Sequence, residues 1–255
     1  MGVPGQVWIL GVRVHRVRAG DVTAYLEGLA GQGRALQVVT VNPEFVMEAR
    51  RNEPFREVLN TAALSLPDGY GIVWASRVLG DPVPQRVAGV DVMRRMCAWA
   101  AQKGWPIFLL GARPGVAERA AASLVTEHRD LVVAGCYAGS PDPAEEGELV
   151  ARVNRSGARL LFVAYGAPRQ DLWIARNLSR LEVAVAMGVG GAFDFLAGVV
   201  PRAPLWMQER GLEWLYRLAR QPWRWRRMLA LPRFAALVLW ERARRRGGEG
   251  GTHGH

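Results

Sequence analysis

The chain has 255 residues, half of them hydrophobic and 22% charged, so it can bury a sizeable core and is not a disordered or low-complexity polymer. Its net charge of +10 rests on arginine, because Lys103 is the single lysine, and two cysteines, Cys97 and Cys136, exclude a disulfide framework. A secretory leader is not expected, since the first apolar run is short and meets Arg13, Arg16 and Arg18 at once; nor does any stretch reach the roughly 20 clean apolar residues of a membrane span.

In chain order, strands are predicted at 7–12, 36–41, 62–66, 106–110, 131–135, 159–164 and 182–188. Most are short continuous apolar runs, the pattern of a sheet covered on both faces. Helices are predicted at 22–30, 43–60, 70–79, 90–103, 114–128, 143–156 and 168–178, the second broken at Pro54. Asn42 before Pro43 and Asp142 before Pro143 read as N-caps, and Pro114 and Pro168 suit first helical positions. Repeated strand–helix alternation implies right-handed βαβ units and a mainly parallel α/β sheet flanked by helices.

The charge is uneven. Residues 202–246 hold twelve arginines against Glu209, Glu213 and Glu241, a net +9, and five of the ten tryptophans. Residues 1–201 carry only +2. The chain therefore divides into an α/β body (1–201), a basic, Trp-rich helical appendage (202–246) and a Gly-rich tail (247–255) expected to be disordered. Arg217, Arg220, Arg224 and Arg227 fall three or four apart, on one helical face, with Pro222 dividing the run into two helices. That face is either simply solvated or made for phosphate. Interleaved tryptophans suit an anionic phospholipid surface, where rings sit at headgroup level. Nucleic acid would also attract it, but the near-neutral body has no reader motif, and nucleic acid is not expected as a partner.

In open α/β sheets, ligands bind beyond the carboxyl ends of the strands. The segments there are Thr40-Val41-Asn42-Pro43, Pro67-Asp68-Gly69, Gly111 to Gly115, Tyr165 to Gln170 and Val189 to Asp194. Gly111 begins either a phosphate-approach loop at a helix N-terminus or an ordinary tight turn. Asp68 and Asp194 suit turns or caps as well as substrate, and Gln170 suits a cap or a ligand. No G-x-G-x-x-G supports a nicotinamide-dependent oxidoreductase, and no P-loop, G-x-S-x-G, D-x-D, H-E-x-x-H or C-x-x-C is present; no metal or other cofactor is expected.

Seven segments in order carry a resemblance: Thr40-Val-Asn42-Pro43, Leu66-Pro-Asp68-Gly69, Gln85-Arg86-Val-Ala-Gly89-Val-Asp91, Phe108-Leu-Leu-Gly111, Tyr165-Gly166-Ala-Pro168-Arg-Gln170, Gly188 to Asp194, and Arg202-Ala-Pro204 with Gly211-Leu-Glu213-Trp214-Leu-Tyr-Arg217. Together they resemble the WecG/TagA/CpsF family of bacterial glycosyltransferases, from about residue 7 to residue 234. The resemblance implies a Rossmann-like core and a metal-independent, inverting transfer from a UDP-sugar. It implies N-acetylmannosamine, or its uronic acid, as the sugar moved. The implied acceptor is N-acetylglucosamine-diphospho-undecaprenol, in wall teichoic acid or other surface polysaccharide synthesis. The implied location is peripheral, on the inner face of the bacterial plasma membrane. It matches Asp68 to the catalytic base, Thr40, Asn42, Arg86, Gln170 and Asp194 to pocket positions, and Arg217, Arg224 and Arg227 to the acceptor-engaging appendage. Arg169 and Asp171 stand where the pattern usually has Lys and Glu, Ala88 where it has Thr, and Gln221 where it has Glu. A homo-oligomer is compatible with the sequence but not specified by it.

Overall fold

The computed structural model describes residues 4–30, 33–220, 222 and 225–249. Among the described residues there are eight strands: β1 Gln6–Ile9, β2 Val12–His15, β3 Leu36–Val41, β4 Leu64–Pro67, β5 Ile107–Gly111, β6 Val133–Tyr137, β7 Leu160–Ala164 and β8 Val185–Gly188. The last six form one sheet in the order β4-β3-β8-β7-β5-β6, with every pairing parallel. All six carboxyl ends therefore face the same rim, as the alternation requires.

Side chains of β3, β4, β5, β7 and β8 are almost all buried, which is why these strands read as continuous apolar runs. Alternate residues enter opposite layers. Val38, Leu66, Leu109 and Phe162 join one cluster with helices Val22–Ala30, Gly89–Lys103 and Val116–Glu127. Val39 and Val41 face helices Pro43–Ala49, Glu53–Thr61 and Tyr70–Val78. Leu110, Leu161 and Val163 face helices Glu146–Arg155 and Arg169–Asn177.

Several expectations shift. The strand expected at 7–12 is a hairpin outside the main sheet: β1 and β2 pair antiparallel, and Leu10 and Gly11 both take positive φ, 51° and 82°. Positive φ at both central residues is the turn geometry that matches strand twist, and it cuts the apolar run in two. The break expected at Pro54 lies at residues 50–52 instead. Asn52 caps the second helix, its side-chain oxygen accepting from Phe55 N–H at 3.1 Å, and Pro54 sits in the first turn, where it lacks no needed donor. Strands β6 and β4 start two residues later than expected, at Val133 and Leu64, and β8 three later, at Val185; Pro114 and Pro168 stand just before their helices, which begin at Val116 and Arg169.

The C-terminal segment folds back on the body. Helices Leu205–Glu209, Glu213–Arg220 and Trp225–Met228 lead into a long helix, Ala230–Glu249. The second of these helices ends at Arg220, two residues before Pro222. Phe234 and Val238 of the last helix are buried in the cluster formed by Val39, Val41 and helix Tyr70–Val78. This helix runs to Glu249, into the stretch expected to be disordered; residues 250–255 lie outside the described residues.

Candidate active site

The parallel register of β3 and β4 pairs Val41 with Pro67, so the next residues, Asn42 and Asp68, emerge side by side. Asp68 N–H donates to the Val41 carbonyl at 2.8 Å. Asn42 caps helix Pro43–Ala49, accepting from Phe45 N–H at 2.9 Å. Gly69 then turns the chain with φ 88°, a conformation open to glycine. Val87 N–H donates to the Pro67 carbonyl at 2.8 Å, which lays the loop before helix Gly89–Lys103 across the end of β4. That loop brings Arg86 to Asp68, with Nε 3.7 Å from Oδ1.

A cavity of about 390 Å³ opens there, lined by Thr40, Asn42, Asp68, Arg86 and Gly89 and by apolar side chains Trp74, Trp214, Leu231 and Phe234. A second of about 210 Å³ shares Thr40, Asn42 and Asp68 and adds Gln170, Asp194 and Arg227. Thus Asp68, Thr40, Asn42, Arg86, Gln170, Asp194 and Arg227 gather on one rim. Gly111 does not line either cavity. Its φ is 102°, and a Cβ there would lie 2.9 Å from the Ala164 carbonyl carbon, so its glycine is demanded by the contact of β5 with β7. Arg217 lies in helix Glu213–Arg220, and Arg224 lies outside the described residues.

The electrostatics are concentrated at Arg86. Its Nη2 donates to Glu213 Oε2 at 2.6 Å, and its ring-facing neighbour is Tyr70, 5.6 Å from centroid to guanidinium. Burial disfavours its charge, but Asp68 and Glu213 outweigh that and hold Arg86 above its ordinary value. Glu213 also lies 4.0 Å from Arg202 Nε, and Arg202 forks onto Asp91 at 2.6 and 2.9 Å. Burial would raise Asp91, but Arg202's hydrogen bonds and charge hold it below the usual carboxylate range. An alternating chain of charge, Asp68–Arg86–Glu213–Arg202–Asp91, therefore joins the C-terminal segment to the rim. Gly211 brings that segment in, since a Cβ there would lie 2.8 Å from the Tyr70 ring. On the other side Arg227 pairs with Glu44 at 3.4 Å.

Gln170 is buried, and its side-chain carbonyl accepts from Gly166 and Gly190 N–H, both at 3.0 Å, stitching together the loops after β7 and β8. Asp194 sits in the short helix Ala192–Leu196, 3.8 Å from Arg113. Sequence reasoning gave no role to Glu213, Tyr70, Glu44 or Arg202. Glu213 and Arg202 stood in a motif, but their partners are over a hundred residues away. Among the described residues no three His, Cys, Asp or Glu side chains cluster as metal ligands, and no helix is long and apolar enough to cross a membrane.

A sequence model described as the Glycosyl transferase WecG/TagA/CpsF family matches residues 7–248. The chain is 37% identical over 205 residues, 80% of it and 79% of the relative, to an N-acetylglucosaminyldiphosphoundecaprenol N-acetyl-beta-D-mannosaminyltransferase of Bacillus subtilis (strain 168). It is 35% identical over 217 residues, 85% of it and 82% of the relative, to a protein of the same name from Bacillus spizizenii (strain ATCC 23059 / NRRL B-14472 / W23).

Proposed function

The chain belongs to the WecG/TagA/CpsF family of glycosyl transferases, and from that premise we propose the reaction performed at its cavity. It is a glycosyltransferase. It moves N-acetylmannosamine from UDP to an acceptor hydroxyl of polyprenyl-diphosphate-linked N-acetylglucosamine, with inversion, as a step in cell-wall or surface polysaccharide synthesis. What carries the reading is the meeting of Asp68 and Arg86 in a cavity closed on one side by the C-terminal segment.

The step is a single displacement. The acceptor oxygen forms a bond to the anomeric carbon while the bond from that carbon to the UDP phosphate oxygen breaks. The hydroxyl proton passes to the Asp68 carboxylate, and the bonding pair leaves with UDP. Positive charge develops on the sugar and negative charge on the diphosphate. In this reading Arg86 and Arg227, which line the two cavities, answer that negative charge together with the N-terminus of helix Arg169–Asn177, and the proposed step uses no metal. Thr40, Asn42, Gln170 and Asp194 shape the donor pocket, with Gln170 acting through the two loops it joins. The apolar side chains Trp74, Trp214 and Leu231 in the same cavity suit an acceptor that carries hydrocarbon next to its diphosphate.

The enzyme works as a peripheral protein on the inner face of the plasma membrane. Trp206, Trp225, Leu239 and Trp240 are each more than half exposed on the arginine-rich segment. Large apolar side chains held in water among cations are the observation that favours an anionic lipid surface. Arg244 lies over Trp240, 4.7 Å from its centroid, and Arg210 over Trp206 at 5.9 Å.

The test is transfer of radiolabelled sugar from UDP-N-acetylmannosamine and from other UDP-sugars to a lipid-diphosphate N-acetylglucosamine, with and without EDTA. The expected result is transfer from the N-acetylmannosamine donor that EDTA does not suppress. Turnover only with added divalent metal, or with a different acceptor class, overturns the reading.

A further inference from the structure

Beside the cavity that Gln170 and Asp194 line is a groove of about 750 Å³ that the proposed reaction does not use. One wall belongs to the body: helix Pro43–Ala49 and the residues after it supply Phe45, Met47, Arg50 and Arg51, and the next helix supplies Phe55. The other wall is the C-terminal segment, with Arg227, Leu229 and Arg233. The two spaces adjoin, since Glu44, Phe45, Ala167 and Arg227 line both. Part of the lining is apolar. Phe55 is fully buried, its ring edge-on to Phe45 at 5.4 Å between centroids, and Leu229 is 46% exposed. The rest is basic, four arginines against Glu44 and Glu48. Arg51 Nε donates to Glu48 at 2.8 Å, and Arg227 lies 3.4 Å from Glu44. Arg50 and Arg233 are exposed and have no acidic partner within 4.0 Å among the described residues.

We propose that this groove binds one anionic phospholipid, by its headgroup phosphate and the hydrocarbon next to it. The proposal deepens the peripheral-membrane reading above and rests on it for the source of the lipid. Arg50 and Arg233 can offer a phosphate diester charge-assisted hydrogen bonds, and the guanidinium fork matches phosphate geometry. The arginines outnumber the acids by two, so a single negative charge is attracted without displacing Glu44 or Glu48. Free phosphate would satisfy the arginines but leave Phe45, Met47 and Leu229 facing water, whereas a lipid covers them too. The place also fits. Leu229 follows Trp225 by four residues, and that ring is more than half exposed among those proposed to meet the bilayer. The hydrocarbon of the acceptor has a different surface, Trp74, Trp214 and Leu231 in the cavity with Asp68. Because the two walls belong to the body and to the C-terminal segment, an occupant spans both. By linkage it stabilises the docked segment, which carries Arg227 to the rim.

The experiment titrates the full chain with dioctanoylphosphatidylglycerol below its micelle concentration, so that no membrane surface is present. Calorimetry should show saturable one-to-one binding to wild type. In the double variant Arg50→Gln/Arg233→Gln, which changes two exposed side chains without ion pairs, affinity should fall about thirtyfold. The control Arg244→Gln/Arg246→Gln, an equal loss of charge on the last helix, should bind like wild type. Saturating lipid should raise the thermal midpoint of wild type and of the control, and leave that of Arg50→Gln/Arg233→Gln unmoved. Equal affinity of wild type and Arg50→Gln/Arg233→Gln overturns the proposal. So does displacement of the lipid by equimolar inorganic phosphate, which would make the groove a free-anion site. Tighter binding of farnesyl diphosphate, weakened by the same two substitutions, overturns it as well and gives the groove to the chain of the acceptor. Failure of wild type to float with anionic vesicles, with one-to-one lipid binding intact, would sink the peripheral reading and leave the binding site standing.

Discussion

The imidazole Nδ1 of His15 accepts a hydrogen bond from the backbone N–H of Ser65 at 2.9 Å, tying the N-terminal hairpin to the edge strand of the sheet. Only a neutral imidazole can accept there. Burial, aided by the Arg13 charge, lowers His15 to about 4. The unfolded chain therefore takes up this proton between about pH 6.5 and 4 while the folded one does not. Stability from His15 is complete above pH 6.5 and drains away as pH falls towards 4, by about 3 kcal/mol at most. Asp171 works in the opposite sense. It is fully buried, neither oxygen meets hydrogen-bond geometry with a described residue, and burial pushes it up to about 7. Here the folded state holds the proton between about pH 4 and 7, so stability falls as pH rises through that window. The two slopes offset each other. In thermal scans from pH 4 to 7, His15→Gln should show a melting temperature that declines with pH, and Asp171→Asn one that climbs. Parallel curves for both variants and wild type would contradict both assignments.

Gln170→Ala should cost about 2–4 kcal/mol and cut transfer sharply, because it strands two partly buried N–H groups, those of Gly166 and Gly190. Urea unfolding gives the first quantity. Gln170→Glu keeps the acceptor and should recover most of the stability. If Gln170→Ala is as stable as wild type, the stitch between the two loops contributes nothing.

Gly111→Ala should destabilise by about 2 kcal/mol or more, through a backbone collision and a φ that L-residues avoid. Since Gly111 lines neither cavity, the protein that does fold should bind UDP with near wild-type affinity by calorimetry. A large loss of UDP affinity in folded material would return Gly111 to the donor site.

The α/β alternation is legible because a parallel strand buried on both faces leaves an unbroken apolar run, as 36–41 does. The hairpin is hidden because a single residue, Gly11, divides an equally apolar stretch, and nothing local says that Leu10 will take positive φ. The strand-end rule picks out the segments that hold Asp68 and Asn42, since parallel register brings successive loops together, but leaves Asp68 open to a turn or cap role; its match to a base comes from the family resemblance. Glu213 and Arg202 escape that rule. Their partners lie at sequence separations of 127 and 111, and their roles exist only once the C-terminal segment has docked. The same docking makes the appendage less separable than its composition suggests, because Phe234 and Val238 complete a cluster begun by the sheet.

Asp68→Asn should lower kcat by about a thousandfold while leaving the thermal midpoint close to wild type. The substitution preserves shape and removes the proton acceptor. Asp68 N–H, which donates to Val41, is untouched, so the loop should hold its place. Turnover near the wild-type level would remove Asp68 as the base and with it the stated mechanism.

Membrane docking cannot be tested cleanly by deleting residues after Pro201, because that would strip Phe234 and Val238 from a buried cluster. Surface substitutions avoid this. Trp206, Trp225 and Trp240 are more than half exposed, so changing all three to Ser removes apolar area already in water and should leave the fold stable. Binding to vesicles containing phosphatidylglycerol should fall by about tenfold or more, since interfacial tryptophans and arginines act together. Raising salt should weaken what remains, because the arginine contribution is screened. Flotation of the triple variant and of wild type at matched ionic strength measures both effects. Equal flotation of the two proteins would show that these rings do not meet lipid, and salt-independent flotation of wild type would show that the arginines do not either.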